Sequence, residues 1–136
     1  MNYWLIKSEP FKYSWETFLK EGRTFWDGVR NYQARNNLRS MEEGDLCLFY
    51  HSNEGKEVVG IAKVVKTAYQ DPTTEDTNWV AVDVVPVQSL KKTVTLQQIK
   101  AEPRLSQIGL IKQMRLSVVP IKAAEFDTIL EMSESD

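Results

Sequence analysis

Apolar and polar positions change their period several times along this chain, and each change predicts an element. Tyr3-Trp4-Leu5-Ile6-Lys7 is a short aromatic and β-branched run, which predicts a first strand closed by Ser8-Glu9-Pro10. Ser14 is placed to cap a helix running to Glu21, with Trp15, Phe18 and Leu19 on one face and Gly22 to stop it. Asn31 is placed to cap a second helix through Met41, where Ala34, Leu38 and Met41 recur at helical spacing. After the turn Glu43-Gly44-Asp45, Leu46 to His51 is apolar almost throughout, the pattern of a strand buried on both faces. Ser52 to Lys56 suits a hairpin loop. Val58 to Tyr69 and Trp79 to Val87 are long β-rich runs, separated by the polar, acidic loop Gln70 to Asn78. Thr95 to Ala101 predicts a short helix ended before Pro103, Leu116 to Ile121 a last strand, and Ala123 to Met132 a closing helix. That helix turns Phe126, Ile129 and Leu130 to one side. The tail Ser133-Glu134-Ser135-Asp136 is expected to fray.

About five strands thus interleave with three or four short helices, without the regular strand–helix alternation of a doubly wound sheet. Long antiparallel runs joined by a hairpin imply an α+β fold with a small, strongly curved sheet or barrel flanked by helices. No internal repeat, low-complexity tract or linker interrupts the chain, so residues 1–136 read as a single domain.

Composition narrows the classes. With 136 residues, 42% hydrophobic and 26% charged, the chain has the make-up of an ordinary globular protein. No apolar run approaches the roughly 20 residues that cross a bilayer. The opening residues lack a basic start and a small-residue cleavage site, so a cytoplasmic location and no membrane partner are expected. The single cysteine, Cys47, excludes an internal disulfide and a multi-thiolate zinc site. Net charge is −2, which argues against a coat protein held on nucleic acid by many phosphate contacts. The charge is uneven, however. Arg23 to Arg39 carries four arginines against Asp27, and Val87 to Arg115 carries six cations against Glu102. Two basic segments on one face would suit a polyanion; charge alone is better read as solvated surface.

Chemistry-bearing patterns are sparse. There is no glycine-rich phosphate loop, no paired-histidine metal motif and no Gly-x-Ser-x-Gly turn, so neither a metal nor a cofactor is expected. His51-Ser52 invites a nucleophile-and-base reading, but adjacent residues on a strand point to opposite faces. The densest stretch is Phe25-Trp26-Asp27-Gly28-Val29-Arg30-Asn31-Tyr32-Gln33-Ala34-Arg35-Asn36-Asn37. An indole stacks a nucleobase, amides and backbone groups address its edge, and guanidinium groups hold flanking phosphates. The same residues are also the parts of a packed turn, with Trp26 in the core, Gly28 turning the chain and Asn31 capping a helix. Trp79 fits either core or rim.

Tyr3-Trp4-Leu5-Ile6-Lys7-Ser8-Glu9-Pro10, followed by Tyr13-Ser14, resembles the opening of the EVE domain family. Trp26-Asp27-Gly28-Val29-Arg30-Asn31, with Gln33-Ala34-Arg35-Asn36 behind it, resembles that family's most distinctive motif. Met41, Gly44-Asp45, Phe49-Tyr50-His51-Ser52, Val59-Gly60-Ile61, Tyr69, Asp71-Pro72 and Arg115-Leu116-Ser117-Val118 continue the resemblance along nearly the whole chain. It implies a PUA-like fold, a curved β-barrel of five to six strands with peripheral short helices, related to the YTH, SRA and ASCH domains. It also implies a non-enzymatic module whose partner is DNA or RNA containing a modified base, a modified cytosine in DNA or a methylated base in RNA. The base would be flipped into an aromatic-lined pocket. The family's pocket maps onto Trp26, Asp27, Gly28, Val29, Arg30 and Asn31, with Lys7, Ser8, His51 and Ser52 from neighbouring strand ends. Arg30, Arg35, Arg115 and Ser117 are then expected at the phosphates or the rim, and Trp26 as the stacking platform. The competing expectation is a hydrolase or transferase of a small modified nucleoside, as among ASCH relatives, with Asp27, Lys7 and His51 as acid–base groups. A scaffold that binds a metabolite or protein is the third.

Overall fold

The computed structural model describes residues 1–134. Its centre is one six-stranded mixed sheet in the order β2-β5-β4-β3-β1-β6. The strands are β1 (Tyr3–Ser8), β2 (Thr24–Trp26), β3 (Leu46–His51), β4 (Glu57–Gln70), β5 (Val80–Thr95) and β6 (Val118–Ile121). β1 runs parallel to β3, with Ser8 opposite His51, and the other pairs are antiparallel. β3 is buried on both faces, as its unbroken apolar run requires.

Helices flank this sheet. α1 (Trp15–Glu21) is capped by Ser14, whose side chain accepts from Thr17 N–H, and α2 (Tyr32–Ser40) by Asn31, whose Oδ1 accepts from Ala34 N–H at 2.9 Å. α3 (Leu96–Ala101) opens on a Thr95–Gln98 capping box, a single 3₁₀ turn covers Pro103–Leu105, α4 is Gly109–Lys112 and α5 is Ala123–Glu134. The core gathers Trp4, Leu5, Trp15, Phe18, Phe49, Ile99 and Ile129 with the inner residues of β4 and β5.

The sheet is open. β4 and β5 pair along most of their length through four register shifts, each of which bends the ladder, while β2 and β6 remain as edges, so the expected barrel does not close. Other differences follow from how far local pattern reaches. β2 is only three residues and is held by β5 rather than by its own alternation. β5 continues through the polar stretch Gln88–Thr95, where β4 pairs with Gln88, Ser89, Val94 and Thr95. At the C-terminus, Ser133 and Glu134 extend α5 instead of fraying, and Ser133 is buried; Ser135 and Asp136 lie outside the described residues.

Candidate functional site

A cavity of about 380 Å³ opens where the loop between β2 and α2 faces the C-terminal end of β1. That volume falls within the roughly 300–1,000 Å³ of small-molecule sites. Lys7, Ser8, Glu9, Lys12 and Tyr13 line one side, Thr24 to Asn31 the other, and Ser117 closes the rim. The loop is short, turning at Gly28, whose φ of +72° is left-handed and suits glycine. It then enters α2 through the Asn31 cap.

Asp71 holds that loop in place. Its side chain, at the start of the 71–79 loop, has no exposed surface. One oxygen accepts from Gly28 N–H at 2.9 Å and from the Arg30 guanidinium at 3.0 Å. The other accepts from the N–H and hydroxyl of Thr73 at 2.7 and 2.5 Å. Burial pushes the Asp71 carboxyl up, but the bonds from Thr73, Gly28 and Arg30 outweigh it and hold the pKa down at about 2. Arg30 also donates to Thr73 Oγ1 and lies over the Trp79 ring, 5.5 Å from its centroid. Its guanidinium is therefore a tether for the loop rather than an open phosphate contact.

Asp27, four residues along from Arg23, sits in a different environment. It lines the cavity, and among the described residues no other side chain or N–H bonds its carboxylate. Burial raises its pKa and the Asp71 charge adds to that, while its own N–H and Arg30 pull the other way. A carboxyl at the wall of a cavity, bonded by no other side chain among the described residues, is placed to meet a hydrogen-bonding ligand edge.

Trp26 is only 9% exposed, with its indole edge-on to Phe49 (5.6 Å, 84°) and to Tyr13 (6.3 Å, 80°). An open stacking platform would leave a face free, so this tryptophan is a packed wall. The packed-turn reading and the pocket reading describe the same residues: Trp26 is core, Gly28 turns, Asn31 caps, and all three line the cavity. Phe25, beside it and 47% exposed, is the more open aromatic.

The remaining sequence candidates separate. Lys7 and Ser8 line the cavity. Lys7 Nζ donates to Met114 O at 2.7 Å, and Ser8 Oγ to Tyr13 O at 2.6 Å. His51 does not line it: Nε2 accepts from the N–H of Trp15, the first residue of α1, at 3.0 Å, and burial lowers its pKa. Ser52 lines a neighbouring depression instead. Arg35 donates to Asn36 Oδ1 and Asn78 O and lies over the Tyr32 ring at 4.9 Å, away from the cavity. Arg115 lines a second depression that meets the cavity at Asn31. Sequence reasoning missed Asp71 as the loop's anchor. Its local signal was present, because Asp71-Pro72-Thr73 is the pattern of an Asx turn; its partners 41 and 43 residues away leave none. Among the described residues no three His, Cys, Asp or Glu side chains are placed to hold a metal ion.

Comparison with known proteins adds to this geometry. The family model of the EVE domain matches residues 2–132. Thymocyte nuclear protein 1 of Mus musculus is 37% identical over 169 aligned positions, covering 99% of this chain and 75% of the mouse protein. The crystal structure of protein Atu2648 from Agrobacterium tumefaciens superposes with a TM-score of 0.97 at 46% identity, covering 98% of this chain and 94% of that one. The structure of human THYN1 in complex with 5-methylcytosine-containing DNA superposes with a TM-score of 0.92 at 34% identity, covering 100% and 99%.

Proposed function

The chain belongs to the EVE domain family, and on that premise we propose that it binds nucleic acid by holding one modified base, a modified cytosine, in the cavity beside the Trp26–Asn31 loop. The observation that carries this reading is the pairing, in one cavity, of an apolar wall with a carboxyl at its edge that no other side chain among the described residues bonds. Trp26, Phe25 and Val29 offer apolar surface to a ring and its added methyl. Asp27 is set to accept from the exocyclic amino group of a cytosine, the pairing that acidic side chains make with that base. A base reached this way must leave the stack, because its pairing edge is hidden in a duplex. Such a site needs few phosphate contacts, which fits a net charge of −2. The relative solved with methylated DNA supports the choice of ligand.

The role is binding without turnover. Of the acid–base candidates Asp27, Lys7 and His51, His51 lies outside the cavity and the Lys7 ammonium is bonded to a backbone carbonyl. Equilibrium binding to matched oligonucleotides differing in one cytosine modification tests the reading, with the same samples analysed for altered nucleosides by mass spectrometry. Preference for the modified strand, weakened about 5- to 100-fold in Asp27→Ala, is expected. Indifference to the modification, or chemical conversion of the base, overturns it.

A further inference from the structure

We propose that Met114 is a wedge that enters a duplex where the base has been drawn out, a role that rests on the base-holding cavity described above. The side chain is 60% exposed, yet its backbone is fixed. Gly109 opens α4 hard against β6, where a Cβ would lie 2.2 Å from Val119 Cγ1. The chain then closes through Gln113 N–H to Gly109 O at 2.7 Å and Leu116 N–H to Gln113 O at 3.0 Å. Buried Leu110 and Leu116 anchor the two sides of the turn. The carbonyl of Met114 accepts from Lys7 Nζ at 2.7 Å, so the tip is tied directly to a residue that lines the base cavity. A long apolar side chain on a preorganised tip is what wedge residues require, since unstacking is unfavourable and must be met by contacts that lose little entropy on binding.

The ground on either side of the tip has the charge that a duplex demands. A depression of about 410 Å³ lies on one side and contains Lys112 and Arg115; it joins the base cavity at Asn31. Another of about 220 Å³ lies on the other side and contains Lys56; it joins the cavity through Lys7. Among the described residues no carboxylate lines either one. An apolar tip between two cationic, acid-free depressions, each sharing a lining residue with the base cavity, matches phosphates flanking a gap in the stack.

Fluorescence anisotropy with a 5-methylcytosine oligonucleotide, once as a single strand and once as a duplex, tests the wedge in the full chain. Each form is compared with its unmodified counterpart, using wild type, Met114→Ala and Met114→Leu. A single strand leaves no gap to fill, so Met114→Ala should weaken duplex binding roughly tenfold and change single-strand binding by less than about twofold. Met114→Leu should retain most duplex affinity, and thermal melts of both variants should match wild type because the side chain is exposed. Equal loss on both substrates, no loss on the duplex, or wild type that binds only the single strand overturns the wedge while leaving the base cavity standing. Wild type that fails to prefer the modified single strand overturns the base cavity, and the wedge with it.

Discussion

The two basic segments, one lining the cavity and one lining the depression beside it, use their charge differently. In the first, Arg23 pairs with Asp83 at 2.8 Å, Arg30 with Asp71 at 3.0 Å, and Arg35 with Asn36, the Asn78 carbonyl and the Tyr32 ring. In the second, Arg104 pairs with Glu102 at 2.9 Å and with Glu131 at 3.2 Å, while Lys112 and Arg115 at its α4 end are exposed and make no ion pair among the described residues. Arg23, Arg30 and Arg35 of the first wall are locked, and the α4 end of the second is open. A count of arginines and lysines sees no difference between them; the partners that lock the first wall come from β5 and the 71–79 loop, far along the chain. Charge available to a ligand is therefore what remains after the fold has taken its share. Here that remainder lies on the α4 side.

The locked wall breaks most severely at Trp26. Its ring is enclosed by Phe49 and Tyr13, so Trp26→Ala should cost about 3–5 kcal/mol of stability, the range for truncating a buried aromatic. Chemical denaturation measures this. Binding should fall with the folded fraction and with the shape of the cavity wall together. A near-normal midpoint would mean that the ring is not packed in solution, and would restore it as an open platform.

Asp71 is the next largest effect. Asp71→Ala removes the acceptor of Gly28, Arg30 and Thr73 at once and should cost roughly 2–4 kcal/mol, below the cost of a fully buried pair because Arg30, 41% exposed, regains water. The pH dependence gives an independent reading. Its folded pKa of about 2 lies below the ordinary value near 3.9, so the stabilisation is full above about pH 4 and is lost as pH falls towards 2. Asp71→Asn should flatten stability over that window relative to wild type. Identical acid profiles for the two would show that the charge on Asp71 does not hold the loop.

These residues also mark what was legible in sequence. Local pattern sufficed for β1, β3, α1 and α2, because each carries its own period and its own cap at Ser14 or Asn31. It could not supply β2 or the second half of β5, whose residues are strand only because a partner pairs with them. At the cavity, the Trp26–Asn31 loop stood out as a dense run of aromatic, glycine and amide residues, and it does line the space with Lys7 and Ser8. The contributions of Tyr13 and Phe25, the exclusion of His51 and the anchoring by Asp71 are tertiary facts. His51 sits opposite Ser8 in the register, yet its ring is turned to the first N–H of α1. No spacing rule carries that.

The smallest effects give the finest test, because they set one arginine from each wall against the other. Arg30→Gln removes a guanidinium bonded to Asp71 and Thr73, so it should lower stability by about 1–2 kcal/mol. Because that group is already committed inside the protein, the slope of log K against log salt for an oligonucleotide should stay near the wild-type value. Arg115→Gln and Lys112→Gln remove exposed cations that have no ion-pair partner among the described residues, so each should leave stability within about 0.5 kcal/mol of wild type. If phosphates lie in the depression these two line, each substitution should reduce the salt slope by roughly 0.7–0.9, the larger figure for a duplex. Selectivity for the modified base should survive in both, since neither residue lines the base cavity. Titrations at several salt concentrations and a denaturant melt on each variant separate the two walls. A salt slope that falls in Arg30→Gln but not in Arg115→Gln would reverse the assignment and place the phosphate track on the α2 side.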